Sequence, residues 1–356
     1  MAAAGGTAVR AMGNDALIVK WNKFSKAYSA VMEQWSWPSY ASLVSATGLP
    51  VLDGSGLASW KHLDAAKAPS SSGKRPPLVL DVGCGPGSHS LELARMHPGL
   101  RILATDLSEG MIELARSRAA GVDNIAFAVA SADSEEVAAR GLATVAAGSV
   151  LAGEHVSDPM SEALRVPGGE GALLADAAIA NLVMQIVPDT LAAFQGVGAS
   201  LRPGAPFAFA VWGDRSRSAL FTALPGALRS LEISGLEAMQ AEVAEAAATT
   251  RSGFHLEADV PRVKRLLAEA GFGPVSTWTT ELPMPGGPVL SAQDGAARLI
   301  DLIPANSELA ARVHKEGGDE ARAALTRALE GRVQALMDED AVLGLHVRVY
   351  VAAKRG

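Results

Sequence analysis

The sequence has little of several things that particular functions require. Among its 356 residues there is one cysteine, Cys84, so a disulfide within the chain and a metal site made only of cysteines are both excluded. The formal charge is −7, which is the opposite of the basic excess that proteins binding nucleic-acid backbones carry. The longest apolar stretch, 171–188, is interrupted by Asp176, Asn181 and Gln185. From these absences we expect no nucleic-acid partner and no membrane span.

Aromatic residues are also scarce, at 5% of the chain, and they are unevenly distributed. Four of the six tryptophans and two of the three tyrosines lie in the first sixty residues: Trp21, Tyr28, Trp35, Trp37, Tyr40 and Trp60. The segment 67–77, KAPSSSGKRPP, has the proline, serine and glycine content of a flexible tether. We therefore expect an aromatic-rich helical cap over 1–66, a tether over 67–77 and the main domain over 78–356.

The first twenty residues lack the apolar core of a secretory signal. The expected compartment is the cytoplasm, and targeting to an organelle stays open at this stage. The sequence leaves the oligomeric state undetermined, a homodimer included.

Beyond the tether, short apolar runs alternate with helical patterns. The predicted strands lie at 77–82, 101–106, 124–130, 172–180 and 206–213, with two more near 274–282 and 344–356. Apolar strands separated by helices are typical of a parallel sheet covered on both faces. The pattern predicts a doubly wound α/β fold.

Three glycines follow the first strand within five residues: Gly83, Gly85 and Gly87. A strand, a glycine-rich loop and a helix together bring backbone close to a nucleotide-like ligand, and the absence of a Cβ permits the approach. Asp106 ends the next strand, where a carboxylate can accept hydrogen bonds from ribose hydroxyls. Ser88 stands where the dinucleotide pattern G-x-G-x-x-G requires glycine, so a NAD-linked oxidoreductase is the less favoured interpretation. A tight turn without a ligand is the structural alternative.

Several stretches together resemble the class I S-adenosylmethionine-dependent methyltransferases, in the type 11 group that includes UbiE-like quinone methyltransferases. They are LDVGCGPG, TDLSEGMIELA, ANLVMQIVPDTLAAF, LRPGAPFAFAVWG and VKRLLAEAGF. The resemblance extends from about Trp21 to the C-terminus. It implies a Rossmann-like sheet of seven strands with the last strand antiparallel, S-adenosylmethionine (SAM) as the cofactor and S-adenosylhomocysteine as its product.

The resemblance also implies roles for individual residues. Asp81, Gly83, Gly85 and Gly87 would line the methionine end of SAM, and Asp106 would bind the ribose. Leu107 and Met111 would lie against the adenine.

Two more positions follow the third and fourth strands. Relatives have Asp-Ala-Glu after the third strand where this chain has Ser131, Ala132 and Asp133. The difference leaves open whether Ser131 or Asp133 accepts the adenine amine. Asn181, at the end of the fourth strand, would lie near the sulfonium.

Two missing motifs narrow the range of methyl acceptors that the resemblance allows. No Asn/Asp-Pro-Pro-aromatic motif follows the fourth strand, and no cluster of Asp and Asn suited to magnesium stands at the strand ends. We therefore predict a metal-independent, in-line methyl transfer to a small organic acceptor, with no catalytic base assigned. Candidate substrate or lid residues are Trp21, Tyr28, Met184 and His155. The alternative is a SAM-binding scaffold or regulatory protein without turnover.

Three insertions into the methyltransferase pattern are expected, near 136–170, 214–256 and 288–340. The first could be a lid, a dimer element or a surface loop. The last contains an amphipathic helix over 319–340 that we expect to pack against the domain.

Overall fold

The computed structural model describes residues 13–31, 33–48, 76–152, 158–165, 171–249, 254–284, 291–301 and 303–356. Trp60, His155 and most of the predicted tether lie outside the described residues.

The described part of the chain forms one seven-stranded sheet in the order β3-β2-β1-β4-β5-β7-β6. Its strands are β1 Leu78–Val82, β2 Arg101–Asp106, β3 Ile125–Val129, β4 Ala177–Asn181, β5 Pro206–Trp212, β6 Phe272–Pro283 and β7 Gly344–Lys354. The first five strands run parallel, and β7 lies antiparallel between β5 and β6. The predicted fold class, including the antiparallel last strand, is confirmed. The strand order reverses between β1 and β4, which opens a crevice at their carboxyl ends.

Helices cover both faces of the sheet. They are α1 Asn14–Val31, α2 Glu33–Ala46, α3 Ser88–Met96, α4 Glu109–Ser117, α5 Glu135–Arg140, α6 Leu142–Leu151, α7 Asp158–Leu164, α8 Thr190–Ala199, α9 Ala219–Arg229, α10 Glu237–Thr249, α11 His255–Ala258, α12 Val260–Glu269, α13 Ala292–Asp301 and α14 Pro304–Asp338. One core lies between the sheet and α2, α3, α4, α9, α13 and α14, and the other lies between the sheet and α5 to α8, α11 and α12. Burial from both sides explains why β1, β3, β4 and β5 are almost wholly apolar.

Local signals define several helix ends. Asp259 accepts a hydrogen bond from the Arg262 backbone N–H at the start of α12, and Gly271 follows the end of α12 with a φ of 82°. Ser108 caps α4 in the same way by accepting from the Met111 N–H. The cap at Ser108 begins α4 two residues after Asp106, at the crevice.

The segment α2 is part of the main core rather than a separable unit. Tyr40, Leu43 and Val44 are at most 3% exposed and pack in the same core as the strands. The Trp35 indole N–H donates to the Leu282 carbonyl of β6 at 3.3 Å. Removing α2 would therefore expose the core of the domain.

The described part of the insertion near 136–170 is helical and buried. Along α6, Leu142, Ala143 and Ala146 are fully buried, and α7 contributes Met160 and Leu164 to the same core. Small alanine side chains allow α6 to approach β2 and β3 closely. This segment is a packing element and not a surface loop. The helix predicted near 319–340 lies within α14 and buries Leu325, Leu329 and Val333, as expected.

Candidate active site at the sheet crevice

The glycine loop after β1 has left-handed backbone at all three glycines. The φ angles are 71° at Gly83, 56° at Gly85 and 80° at Gly87, a region that other residues rarely adopt. A Cβ at Gly83 would lie 2.2 Å from a Val183 methyl group, and one at Gly87 would lie 2.7 Å from the Ala115 Cβ. Protein packing alone therefore requires glycine at 83 and 87.

Asp106 connects this loop to α4. Its Oδ2 accepts a hydrogen bond from the Gly85 N–H at 2.9 Å, and its Oδ1 accepts from the Ser108 N–H at 2.9 Å. Burial raises the pKa of Asp106 to about 6, and these backbone donors oppose the rise. A carboxylate can accept about four hydrogen bonds, so each oxygen retains capacity for a ligand.

Asp81, at the end of β1, is 1% exposed. Its Oδ2 accepts two hydroxyl hydrogens, from Tyr40 at 2.9 Å and from Ser90 at 2.6 Å, whereas Oδ1 accepts no hydrogen bond from the described residues. Burial raises the pKa of Asp81 to about 6, and the two hydroxyls oppose the rise. A nearly buried acceptor oxygen without a donor calls for an occupant of the crevice.

A cleft lies between α2 and the glycine loop. It is lined by Glu33, Ser36, Tyr40, Asp81, Gly83, Cys84, Gly85, Pro86, His89 and Asn181. The Trp37 ring stacks on the Tyr40 ring at 5.9 Å, and the His89 ring lies 5.0 Å from that of Tyr40. The cleft thus combines a carboxylate with aromatic faces, a combination that suits a cationic group.

Asn181 stands at the end of β4, and both ends of its amide contact α2. Its Oδ1 accepts from the Ser39 hydroxyl at 2.7 Å, and its Nδ2 donates to the Ser36 carbonyl at 3.1 Å. Together with the bond from Tyr40 to Asp81, these contacts make α2 span the crevice between β1 and β4. Asn181 lines the cleft, but its side chain is committed to α2.

The start of α2 is held by Glu33. Its carboxylate binds Arg118 at 2.9 Å, and Arg118 also donates to the Ser88 hydroxyl at 3.0 Å. The Glu33 carbonyl contacts His89 Nε2 at 2.7 Å, and burial lowers the pKa of His89. Sequence reasoning did not select Glu33, Ser39 or Tyr40. The concentration of aromatics near the N-terminus was the one signal that pointed to this helix.

The residues predicted for the adenine lie under α1. Ser131 donates to Asp133 Oδ1 at 2.6 Å, and Asn14 Nδ2 donates to the same oxygen at 3.0 Å. Asn22 Oδ1 accepts from the Ser108 hydroxyl at 2.6 Å. Leu107 is partly exposed next to Asp106, Met111 is buried, and Ala132 packs against the core that α5 to α8 cover.

The four candidate substrate or lid residues are not brought together. Met184 is fully buried in the core that α5 to α8 cover. Trp21 lies on α1 with the Lys20 ammonium 5.6 Å from its ring centre, and neither Trp21 nor Met184 lines the cleft. Tyr28 lies on α1, but its side chain is outside the description, as is His155.

Two properties of the described residues complete the site. No group of three or more His, Cys, Asp or Glu side chains among them is arranged to hold a metal ion. In the same part of the chain, no helix is both long enough and apolar enough to cross a membrane.

Comparisons with known proteins agree with this geometry. Residues 79–169 match the model of a methyltransferase domain. The chain is 49% identical over 43 residues to a malonyl-[acyl-carrier protein] O-methyltransferase of Legionella pneumophila, and 39% identical over 57 residues to a trans-aconitate 2-methyltransferase of Methylobacterium radiotolerans. These matches cover 12% and 16% of this chain, and they span only 15% and 21% of the relatives.

Among solved structures, the chain is similar to Haemonchus contortus phosphoethanolamine N-methyltransferase 2, which was determined with phosphomonomethylethanolamine and S-adenosylhomocysteine. The identity is 13% and the TM-score 0.41, over 97% of this chain and 60% of that one. Residues 79–169 thus match a methyltransferase domain, and the sheet has β7 inserted antiparallel between β5 and β6, which together support a class I SAM-dependent methyltransferase.

Proposed function

We propose that the protein binds SAM in the crevice between β1 and β4 and transfers the methyl group to a small organic acceptor. The observation that carries the proposal is Asp81, a carboxylate 1% exposed whose Oδ1 has no donor among the described residues. The methionine ammonium of SAM is a donor with the complementary charge. An ammonium there would satisfy the oxygen and offset the cost of a buried carboxylate.

Asp106 supports the same placement from the neighbouring strand. One backbone N–H occupies each of its oxygens, so each can accept one ribose hydroxyl as well. The left-handed backbone at Gly85 presents its N–H to Asp106 without a Cβ in the way. The ribose would therefore lie over the loop, between the methionine end at Asp81 and the base near α1.

The protein's contribution to the reaction is alignment and exclusion of water. SAM supplies an activated methyl group on a sulfonium. The helix α2 closes one side of the cleft with Tyr40, whose aromatic ring suits a cation and is backed by the Trp37 ring. Holding an acceptor in line with the reacting bond contributes up to roughly 7–11 kcal/mol in well-oriented systems. In this proposal α1 and α2 cover the site, and no metal or catalytic base is assigned.

The names of the two sequence relatives support a small organic acceptor. One is an O-methyltransferase of malonyl-[acyl-carrier protein], and the other is a trans-aconitate methyltransferase. Both names designate acceptors that are organic acids or their derivatives. Carboxylic acids therefore form the first group to screen.

The test has two stages. Calorimetric titration should show that SAM and S-adenosylhomocysteine bind and that NAD does not. Incubation with methyl-labelled SAM and a panel of organic acids, amines and phenols should then yield a labelled product. Binding without transfer to any acceptor class would favour the scaffold alternative. Preferential binding of NAD would contradict the proposal.

A further inference from the structure

Three half-buried aromatic rings form a cluster where β5 ends. This β5 aromatic cluster consists of Trp212, the last residue of β5, Phe221 of α9 and Phe254 just before α11. The three ring centres are 4.9–5.4 Å apart. Trp212 and Phe221 pack against the core that also contains α2. Each ring is partly exposed, so the cluster can contact a ligand.

The pairing of the strands places the β5 aromatic cluster beside the crevice. Asn181 of β4 pairs with Ala210 of β5, and the two strands run parallel. Because side chains alternate between the faces of a sheet, Trp212, two residues beyond Ala210, lies on the same face as Asn181. A rise of about 3.3 Å per residue and a strand spacing of about 4.8 Å separate the Cα atoms of Asn181 and Trp212 by about 8 Å. The cluster therefore adjoins the crevice on its β5 side.

The β5 side is the one that SAM leaves open in the proposed function. Asp81 ends β1 and Asp106 ends the neighbouring β2, so a nucleoside bound by Asp106 extends from the methionine end towards β2 and β3. An acceptor that meets the methyl group must then approach from the opposite direction, over β4 and β5. The β5 aromatic cluster lies along that approach.

Two arginines add positive charge to the cluster. The Arg215 guanidinium, in the turn that follows β5, lies 5.8 Å from the centre of the Phe254 ring. Partial burial lowers the pKa of Arg215, and the neighbouring Arg229 guanidinium lowers it further. Both causes disfavour the cation. A carboxylate bound beside Arg215 would offset both of them.

We propose that the methyl acceptor is an organic acid held by the β5 aromatic cluster, with an anionic group paired to Arg215 and its apolar or unsaturated part against Trp212 and Phe254. This inference rests on the proposed function. A guanidinium that lies over a ring still presents its N–H edge, which forms charge-assisted hydrogen bonds to a carboxylate. The flat faces of the rings suit a planar carbon chain. A neutral alcohol or an amine lacks the charge that this arrangement recognises.

The test titrates saturated, unsaturated and aromatic carboxylic acids into the protein saturated with S-adenosylhomocysteine, each acid beside its own primary amide. The amide keeps the shape of the acid and removes its charge. The wild type should bind the preferred acid about tenfold to a hundredfold more tightly than its amide. In Arg215→Gln that preference should fall to about threefold or less. Trp212→Leu should weaken the acid and the amide alike. Because each preference is measured within one protein, a general loss of stability cancels.

Arg217→Gln is the matched control, since Arg217 lies two residues further along the same turn and its guanidinium binds Glu281. It should keep the preference of the wild type. The assignment is overturned if the wild type binds no acid more tightly than its amide, or if Arg215→Gln keeps the preference. An equal loss in Arg217→Gln would overturn it too. Failure of S-adenosylhomocysteine to bind the wild type, which is measured first, would instead refute the proposed function.

Discussion

The two carboxylates of the crevice, Asp81 and Asp106, end neighbouring strands and yet are held in different ways. Burial raises the pKa of each to about 6. Asp106 is held by the backbone N–H groups of Gly85 and Ser108, whereas Asp81 is held by the hydroxyls of Ser90 and of Tyr40 from α2. The position of Asp106 therefore follows from its own loops, and that of Asp81 depends on docking of an N-terminal helix.

The largest expected effect is at Asp106, the carboxylate that we propose binds the ribose of SAM. Asp106→Ala removes two charged hydrogen bonds to the proposed ligand, each of about 1.5–3 kcal/mol, so SAM affinity should fall about a hundredfold or more. The SAM affinity of Asp106→Asn should lie between those of the wild type and Asp106→Ala, because the amide retains one acceptor oxygen but carries no charge. Calorimetry measures both, alongside thermal unfolding without ligand. Normal SAM binding in Asp106→Ala, with a loss of stability alone, would refute the cofactor assignment.

The packing of the glycine loop that holds Asp106 is tested by substituting Gly83, with Gly121 outside the loop as the matched control. Gly83→Ala combines a left-handed φ of 71° with a Cβ 2.2 Å from Val183, so we expect a loss of roughly 2–4 kcal/mol in the free energy of unfolding. Gly121→Ala has a similar φ of 75° but nothing within 4 Å, so about 1–2 kcal/mol is expected. Urea unfolding of the two variants measures the difference. Equal losses would show that the contact with Val183 is unimportant.

Removing the charge of Asp81 should have the opposite effect and stabilise the folded protein, because the buried charge opposes folding. Its folded pKa of about 6 lies above the ordinary value of 3.8, so the penalty is absent below about pH 3.8, grows with rising pH and is complete above pH 6. Two pKa units correspond to about 3 kcal/mol. Without ligand, Asp81→Asn should therefore be more stable than the wild type by up to about 3 kcal/mol at pH 7.5.

That difference in stability should shrink as the pH falls from 6 towards 4. The affinity of Asp81→Asn for SAM should also be lower than that of the wild type, because in the proposed site the methionine ammonium of SAM loses its charged partner. Chemical denaturation across this pH range provides the measurement. A variant less stable than the wild type at every pH would contradict the role of burial at Asp81.

The smallest effect expected is at the hydroxyl that joins α2 to Asp81. Tyr40→Phe removes a hydrogen bond to a charged group and should cost about 2 kcal/mol at pH 7.5. Below pH 6, where Asp81 is protonated, the cost should fall to about 1 kcal/mol. Tyr350→Phe is the control, because the Tyr350 hydroxyl donates at 2.7 Å to the uncharged Leu256 carbonyl.

Tyr350→Phe should lower the free energy of unfolding by about 1 kcal/mol at both pH values. Denaturation curves of the two variants at pH 5 and 7.5 distinguish them. If both variants respond to pH in the same way, Tyr40 does not stabilise the charged form of Asp81.

The contrast between the carboxylates also explains which parts of the site could be predicted. The glycine loop and Asp106 were identified because a strand end, a loop and a helix cap within thirty residues dictate that geometry. Tyr40 and Asn14 were not, because the partner of each side chain lies 41 or more positions away in the chain. Trp21 and Tyr28 were selected from the same aromatic segment, and the role of Tyr28 stays a prediction.

By itself, the amino-acid sequence determined the elements with short-range causes. Alternating apolar strands and helices specify the doubly wound sheet, and glycines in left-handed backbone specify the loop between β1 and α3. The tertiary structure alone decided that α2 belongs to the core and spans the crevice, and that the buried Asn14 Oδ1 has no hydrogen-bond partner among the described residues. The physical reason is that a side chain's partner across the fold depends on how helices dock, and docking is a property of whole surfaces rather than of local spacing.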